Sequence, residues 1–252
     1  MNVIILAAGY AVRLEPLTLT TPKPLLEVGG RRIIDRLMDK ISGLNDVSSV
    51  TVITNAKFFD KIKSWRDGSS YNGKLSILND GSTKNENRLG AIKDLMLATD
   101  SVGSGEDLLV IAGDNLFDFG LDKFVGFAKD HYSGVSIALY DIGSTELAKS
   151  FGVLKINSSK KVVSFEEKPQ APKSTLISTG IYYFPKDKID MIKEYSRTQE
   201  KLDAPGYYIS WLASNHEVYG CPFTEDWYDI GNIESYKKAD GEYKNKERRS
   251  DE

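Results

Sequence analysis

A short apolar run near the start of the chain constrains the fold most. Residues Val3 to Ala7 are all apolar, and the run ends at the small residues Ala8 and Gly9. Strands that are buried on both faces have this pattern, and they occur mainly in parallel sheets that helices cover. The run therefore predicts a buried central strand that ends in a tight turn of small residues.

The first half of the chain alternates between strand-like and helix-like segments. Further strands are predicted at 47–54, 75–78 and 108–112. Helical periodicity or composition lies between them, at about 31–41, 57–65 and 89–98. This β-α-β-α-β-α-β order predicts an α/β fold with a Rossmann-like, mostly parallel sheet and helices on both faces. Ligands of such sheets bind at the carboxyl ends of the strands, where Gly9 and Asp114 both lie.

The second half is richer in strands and predicts a smaller substrate-binding part. Strands are expected at 135–140, 152–156, 162–167, 177–184 and 217–219, with helices at about 186–195 and 206–214. A last helix begins near Ile233 and fades into a charged tail, 241–252, which we expect to be solvated and frayed. No linker rich in Pro, Gly or Ser separates the halves, so residues 1–240 are predicted to form one domain.

Composition excludes several functions. The 252 residues carry a net charge of −3, which argues against a nucleic-acid partner bound through a large basic surface. The single cysteine, Cys221, cannot form an internal disulfide. The amino-terminal apolar run lacks a basic leader and is too short for a signal peptide or a membrane span. We therefore expect a cytoplasmic protein without a membrane partner, and a homo-oligomer stays open.

The loop after the first strand carries the first chemical motif. Its small residues let backbone N–H groups approach phosphate oxygens closely, and Arg13 can fork onto a phosphate. Lys23 lies between two prolines and can stabilise charge that grows on a phosphoryl group. A small-residue turn with two solvated cations is the alternative. Neither a Walker motif nor the dinucleotide G-x-G-x-x-G is present.

Three further motifs offer carboxylates and a cation. Asp114 in Gly-Asp-Asn follows a buried strand and can hold Mg²⁺, or it can simply form a turn. Glu167 and Lys168 can meet sugar hydroxyls and a sugar phosphate, or they can be a solvated strand end. Asp229 precedes a helix and is either a second metal ligand or a cap.

Together these segments resemble the sugar nucleotidyltransferase family, which includes glucose-1-phosphate thymidylyltransferases and uridylyltransferases. The family pattern runs L-A-G-G-x-G-T-R-L-x-P-L-T, P-K-P-L, G-D-N, E-E-K-P, T-G-x-Y and W-x-D-x-G. The matching segments occur in the same order, at 6–18, 22–25, 113–115, 166–169, 179–182 and 227–231. The resemblance covers residues 2 to about 239 and is far more specific than any single motif.

The resemblance implies transfer of a nucleoside monophosphate from a nucleoside triphosphate to a sugar 1-phosphate, with Mg²⁺ and with dTTP or UTP as donor. Residues 1–130 would mainly bind the nucleotide and 131–240 mainly the sugar phosphate. The implied catalytic residues are Arg13 and Lys23, and the implied metal ligands are Asp114 and Asp229. The implied nucleotide-binding residues are Leu6, Ala7, Ala8, Gly9, Arg13, Gly90 and Asp114. The implied sugar-binding residues are Gly152, Glu167, Lys168, Thr179 and Gly180. The chain ends soon after the last motif, so no acyltransferase extension is expected.

The sequence departs from the family pattern at two places. Ala11 and Val12 stand where the pattern has glycine and threonine, and the thymidylyltransferase G-L-A-Q-A segment lacks its glutamine at 88–92. Arg88 and Asn79 are the candidates for base selection. Two alternatives stay open: a non-catalytic nucleotide-sugar-binding regulatory subunit, and a cytidylyltransferase for a non-sugar phosphate.

Overall fold

A computed structural model describes residues 1–103, 105–199, 202 and 205–250, with side chains described up to 248. The strands are β1 (Asn2–Leu6), β2 (Glu27–Val28), β3 (Arg31–Arg32), β4 (Ser49–Thr54), β5 (Leu75–Asn79), β6 (Leu108–Ala112), β7 (Asn115–Phe117), β8 (Val135–Asp141), β9 (Gly152–Ile156), β10 (Val162–Glu167), β11 (Leu176–Phe184), β12 (Val218–Phe223) and β13 (Trp227–Asp229). The helices are α1 (Ile33–Ser42), α2 (Phe59–Asp67), α3 (Ala91–Val102), α4 (Leu121–Asp130), α5 (Thr145–Ala148), α6 (Asp190–Thr198), α7 (Pro205–Asn215) and α8 (Ile233–Ser250).

A nine-stranded sheet forms the centre of the molecule. Along the main path the strand order is β10-β9-β11-β6-β1-β4-β5. The strands β6, β1, β4 and β5 are parallel to one another, with Leu6 of β1 opposite Ala112 of β6. The second half adds antiparallel strands beside β6, beginning with β11, and β8 and β12 continue from β11. The predicted fold class is confirmed: a large, mostly parallel sheet with a smaller antiparallel part.

Helices cover both faces because alternate residues of the central strands point in opposite directions. Val3 and Ile5 pack in the same cluster as α1, α2 and α4. Ile4 packs on the other side, with α3, α6 and α7. All three side chains are fully buried, as the continuous apolar run predicted.

Strand predictions came closer to the structure than helix predictions. The predicted strand at 108–112 is β6, with the same bounds. The helix expected at about 89–98 is α3, which begins and ends later. The helix α4 was not predicted, because Gly120 precedes it and Gly126 interrupts it. The short strands β2, β3 and β7 are two or three residues long, which is too short for a periodic pattern.

The charged tail at 241–252 is the prediction that the structure corrects. Helix α8 continues to Ser250 instead of fraying after 240. Tyr243 is buried, and Lys246 donates hydrogen bonds to Asp118 at 2.5 Å and to Asp226 at 2.7 Å. The charges that suggested a solvated tail are therefore partly used in contacts with the body of the protein. Residues 251 and 252 lie outside the described residues.

Two further observations concern membrane-spanning segments and the single cysteine. In the described part of the chain, no helix combines the length and apolar character needed to cross a membrane. Cys221 is a free, buried thiol that packs in the core cluster beside α4. Burial raises the pKa of Cys221 to about 11, which keeps it protonated and poorly reactive near neutral pH.

Candidate active site

The candidate site forms where β1 and β6 end side by side. The N–H of Gly113 donates to the carbonyl of Leu6 at 2.8 Å. A Cβ at position 113 would lie 2.9 Å from that same oxygen, so only glycine allows the approach. The contact brings Asp114, the next residue, against the turn that follows β1.

Two cavities open at this edge of the sheet. The first has a volume of about 340 Å³ and the second about 540 Å³. They share four lining residues: Arg13, Ala112, Asp114 and Pro205. Two ligands in these cavities would therefore meet at a wall that carries one cation and one carboxylate.

The sequence-predicted residues divide between these cavities. The first is lined by all of the predicted nucleotide-binding and catalytic residues: Leu6, Ala7, Ala8, Gly9, Arg13, Lys23, Gly90 and Asp114. The second is lined by the predicted sugar-binding residues and both predicted metal ligands: Gly152, Glu167, Lys168, Thr179, Gly180, Asp114 and Asp229. The structure thus brings together every residue that the motifs singled out, and the individual roles stay predictions.

Lys23 and Asp114 form an ion pair inside the first cavity. The Lys23 ammonium lies 2.8 Å from Oδ2 of Asp114, and Lys23 is only 8% exposed. Desolvation in the cleft alone would raise the pKa of Asp114. The charge and the hydrogen bond of Lys23 outweigh this effect and lower the pKa overall, with a smaller contribution from the charge of Arg13. Asp114 therefore stays ionised, as a metal ligand must.

A short pair of antiparallel strands brings Asp229 close to Asp114. Strand β13 pairs with β7, and Asp229 lies opposite Asn115, the neighbour of Asp114. Trp227 holds this pairing by donating from its indole N–H to the side chain of Asn115 at 2.7 Å. Burial raises the pKa of Asp229, the charge of Asp114 adds to the rise, and Lys23 opposes it.

The donor set at Asp114 and Asp229 fits Mg²⁺. A divalent cation would relieve the repulsion between these two carboxylates that contributes to the raised pKa of Asp229. Among the described residues, no group of three or more His, Cys, Asp or Glu side chains suits a metal. Mg²⁺ does not need such a cage, because it usually takes one or two carboxylates together with substrate phosphates and water.

Glu167 is held tightly in the second cavity, at the end of β10. Its carboxylate packs so closely against Gly206, at the start of α7, that a Cβ there would clash with it. Burial raises the pKa of Glu167, and the charge of Lys168 opposes the rise. Glu166 points the other way and is more exposed, as strand alternation predicts. Glu167 is thus the carboxylate of this pair that lines the second cavity.

Lys168 has a backbone conformation that is unusual for a lysine. Its φ is +47°, in the left-handed region, and its N–H donates to the carbonyl of Phe151 at 3.0 Å. Side chains other than glycine adopt this region at some cost, and such residues cluster at functional sites. The bend turns the chain at the rim of the second cavity and leaves the Lys168 side chain largely exposed.

Thr179 and Gly180 lie in β11 beside β8 and β6. The hydroxyl of Thr179 donates to the carbonyl of Ala138 at 2.9 Å, and the side chain is almost fully buried. That bond fixes the strand, so the Thr179 hydroxyl hydrogen is not available to a ligand. Gly180 has a φ of +78° at a shift in the pairing between β11 and β8.

The two departures from the family pattern in the first loop, Ala11 and Val12, differ in their position relative to the cavities. Ala11 has a φ of +48° and lines the first cavity, so this alanine adopts the conformation that usually favours glycine. The Thr18 hydroxyl donates to the Ala11 carbonyl at 2.9 Å and helps to hold that turn. Val12 is half exposed and lines neither cavity.

A larger open groove lies elsewhere, along α1 and the segment after α2. Its volume is about 750 Å³, and none of the sequence-predicted site residues lines it. Its lining mixes charged, polar and apolar side chains, and no motif of the sequence points to it. We therefore place the site at the two cavities beside β1 and β6.

Comparison with known proteins decides the family. The family model described as Nucleotidyl transferase matches residues 2–246, nearly the whole chain. The chain belongs to the nucleotidyl transferase family. Membership covers both cavities, because every residue that lines either one falls inside the matched range.

A solved structure shares the fold of this nucleotidyl transferase. It is a 2.76 Å crystal structure from Bacillus anthracis of a protein assigned as a glucose-1-phosphate thymidylyltransferase, with a sucrose bound. The two align with a TM-score of 0.83 over 97% of this chain and 95% of the other, at 24% sequence identity. At this identity the likeness is one of fold.

Sequence reasoning missed several residues that line the cavities, among them Pro205, Gly206 and Asp94. Pro205 and Gly206 begin α7; Gly206 was expected only as the start of a helix, and Pro205 was not singled out. Asp94 lies in the first turn of α3 and lines the first cavity. An aspartate on an otherwise apolar face of a helix was the available signal. Of the two candidates for base selection, Arg88 lines the first cavity and Asn79 lines neither.

Proposed function

We propose that this nucleotidyl transferase moves a nucleoside monophosphate from a nucleoside triphosphate to a sugar 1-phosphate, releasing pyrophosphate. The observation that carries the proposal is the shared wall between the two cavities, with Arg13 and Asp114 on it. A triphosphate in the first cavity and a sugar phosphate in the second would place the reacting atoms at this wall. We further propose dTTP or UTP as the donor and the cytoplasm as the location.

Arg13 and Lys23 would stabilise the negative charge that develops on the phosphates during the reaction. As an oxygen of the sugar phosphate attacks the α-phosphorus, negative charge moves onto the leaving pyrophosphate. Lys23 is held by Asp114 at 2.8 Å and little exposed, so its charge is positioned before the reaction and weakly screened. Arg13 can fork onto two phosphate oxygens. Catalysis would then rest on positioning and charge neutralisation, without a covalent enzyme intermediate.

Asp114 and Asp229 would hold Mg²⁺. When bound, the ion would neutralise phosphate charge and orient the triphosphate. Asp114 lines both cavities, while Asp229 lines the second. An ion bound between these two side chains would therefore touch the boundary between the two substrates.

The second cavity would bind the sugar phosphate through its two charged side chains. Lys168 would pair with the phosphate, and Glu167 would accept a hydrogen bond from a sugar hydroxyl. The packing of Glu167 against Gly206 restricts its carboxylate to one region, which favours selection among sugars.

Pyrophosphate release from a matrix of triphosphates and sugar 1-phosphates tests the proposal. The matrix uses UTP, dTTP, CTP, ATP and GTP, with phosphocholine as a non-sugar acceptor and EDTA as the metal-free control. We expect release with at least one sugar 1-phosphate, with UTP or dTTP as the best donor. Release with phosphocholine alone would favour the non-sugar cytidylyltransferase. Binding of a nucleotide sugar without any release would favour the regulatory subunit.

Replacing the two proposed metal ligands tests their role. We expect Asp229→Asn to lower turnover at least about 100-fold at limiting Mg²⁺, with partial recovery at high Mg²⁺, since an amide is a weaker ligand than a carboxylate. Glu234→Gln, an exposed carboxylate in the first turn of α8 and outside both cavities, is the control. An unchanged Mg²⁺ dependence in both Asp229→Asn and Asp114→Asn would place the metal elsewhere.

A further inference from the structure

Asp94 is a buried carboxyl that the proposed reaction does not use. It lies in the first turn of α3, lines the first cavity and is only 7% exposed. Its backbone N–H donates a hydrogen bond to the carbonyl oxygen of Gly90 at 3.0 Å, and this bond fixes the position of the turn. The side chain therefore has a defined place beside the turn that follows β1.

Asp94 lies on the far side of β1 from Asp114. Its carboxyl contacts that of Asp80, which follows β5, whereas Asp114 follows β6. The strand order β6-β1-β4-β5 separates the ends of β6 and β5 by three strand spacings, or about 14 Å. A nucleotide that crosses the end of β1 with its phosphates near Lys23 and Asp114 would therefore point its base towards Asp94.

The Asp94 carboxyl has one oxygen without a partner. No described residue donates a hydrogen bond to its Oδ1, although the atom is buried. Its neighbour Asp80 is satisfied, because it accepts from the N–H of Ser82 at 2.7 Å and from the Ser82 hydroxyl at 2.9 Å. A buried acceptor without a donor is costly, and a ligand N–H would remove that cost.

We propose that Asp94 binds the nucleotide base by accepting a hydrogen bond from one of its N–H groups. The inference rests on the proposed function, since it takes the first cavity to be the nucleotide site. If Asp94 shares a proton with Asp80 through one oxygen, the other oxygen is still an acceptor, as it is in the carboxylate. The terminal torsion of an aspartate is broad, so a small rotation turns this oxygen towards the cavity.

Two kinds of base offer the required donor. Uracil and thymine present a ring N–H at position 3, and cytosine, adenine and guanine present an amino group. Methylation that replaces every hydrogen on that nitrogen removes the donor and leaves the rest of the nucleotide in place. For UTP the probe is N3-methyluridine triphosphate, and for CTP it is N4,N4-dimethylcytidine triphosphate.

The test compares kcat/KM for the best triphosphate and its methylated analogue in three proteins: the wild type, Asp94→Ala and Asp94→Asn. We expect the wild type to discriminate against the analogue by about 10-fold or more, since one hydrogen bond to a charged or polarised group is lost. Asp94→Ala should lower kcat/KM for the parent nucleotide about 10-fold while changing the analogue little, so that discrimination nearly disappears. The KM for sugar 1-phosphate should not change. Asp100→Ala, on the same helix and outside both cavities, is the matched control.

Equal loss with parent and analogue would overturn the inference, because a purely structural role lowers both alike. Unchanged discrimination in a folded Asp94→Ala protein would also overturn it, whereas Asp94→Asn keeps one side-chain oxygen as an acceptor and should keep part of the discrimination. Binding of parent and analogue to the wild type, measured by calorimetry, gives a second readout. If no triphosphate is turned over, the proposed function fails. Weaker binding of the analogue than of the parent nucleotide in the wild type, but not in Asp94→Ala, would still support the role of Asp94.

Discussion

Lys23 and Asp114 concentrate opposite charges at the wall between the cavities. Because Lys23 is largely removed from water, its attraction for a phosphate is screened less than that of a surface lysine. Its position follows from local structure: Pro22 and Pro24 flank it, and a 3-10 turn begins at Lys23 itself. A short rigid segment thus holds a long, flexible side chain where charge develops.

Replacing Lys23 with methionine should lower turnover about 100- to 1,000-fold, because the variant keeps the apolar stem but loses the charge. The KM for the sugar phosphate should change much less. Steady-state kinetics of pyrophosphate release measure both. Lys123→Met, which removes an exposed lysine paired with Glu225, is the control. Turnover near the wild-type value in Lys23→Met would remove Lys23 from the catalytic residues.

Asp94 should make stability depend on pH. Burial, and next the charge and hydrogen bond of Asp80, raise the pKa of Asp94 to about 7 from an ordinary value of 3.8. The folded state therefore keeps a proton that the unfolded state loses, so stability falls as pH rises from about 4 to about 7. Asp94→Asn should remove this loss, which is on the order of a few kcal/mol.

Urea unfolding at several pH values measures the Asp94 effect. The wild type should lose more free energy of unfolding than Asp94→Asn does between the acidic and neutral ends of the range. The exposed Asp60→Asn in α2 is the control and should follow the wild type. Parallel curves for the wild type and Asp94→Asn would show that Asp94 ionises normally in the folded protein.

Sequence motifs identified Arg13, Lys23 and Asp229 but not Asp94. The first three stand in loops or at strand ends, where polar residues in an ordered pattern point to a ligand. Asp94 stands on a helix, and its contact with Asp80 depends on how α3 lies across the sheet. Contacts between residues that are distant in sequence and lack a motif could not be predicted from the sequence.

At the scale of elements, α8 fixes the strand that carries Asp229. Tyr243 packs with Ile230 and Leu14 in one buried cluster, and its hydroxyl donates to Asp118 at 2.9 Å. Lys246 bridges Asp118 and Asp226, which flank β7 and β13. The part of α8 after residue 240, which was expected to be a frayed tail, is therefore part of the support for the candidate active site.

Truncation of the Tyr243 side chain tests whether α8 stabilises the region of the candidate active site. Tyr243→Ala should lower the free energy of unfolding by about 3–4 kcal/mol, since a buried aromatic ring is lost. Tyr243→Phe should cost only about 1 kcal/mol, the net value of the hydrogen bond to Asp118. Urea denaturation measures both, with the exposed Lys238→Ala as control. If Tyr243→Ala were as stable as the wild type, α8 would not support the site.

The length of α8 was missed because its sequence is dominated by charges from 240 onward. Its apolar contacts come from few residues, such as Ala239 and Tyr243, and that is too few for a helical pattern. Strand β6 was predicted with its bounds because every residue in it is apolar and it stands between polar segments. An apolar sequence pattern thus predicts an element that is buried on all sides. It does not predict an element that is held in place mainly by ion pairs.

At the scale of the molecule, the two halves of the chain supply the two cavities. The parallel half ends at β6, and the antiparallel half joins it through β11, which pairs directly with β6. This antiparallel junction puts the carboxyl end of β6 beside Gly180 in the middle of β11, so that Asp114 and Gly180 line one cavity. The order of the motifs along the chain predicted which residues would meet, but not that the cavities share a wall.

We propose that both substrates react directly at this wall, without a nucleotidyl-enzyme intermediate. Exchange of labelled pyrophosphate into the nucleoside triphosphate, measured with and without the acceptor, tests it most directly. A direct displacement allows exchange only when the sugar 1-phosphate or the nucleotide sugar is present, because pyrophosphate must attack a bound nucleotide sugar. We predict exchange with the acceptor and none without it, and exchange in the absence of any sugar phosphate would contradict the account.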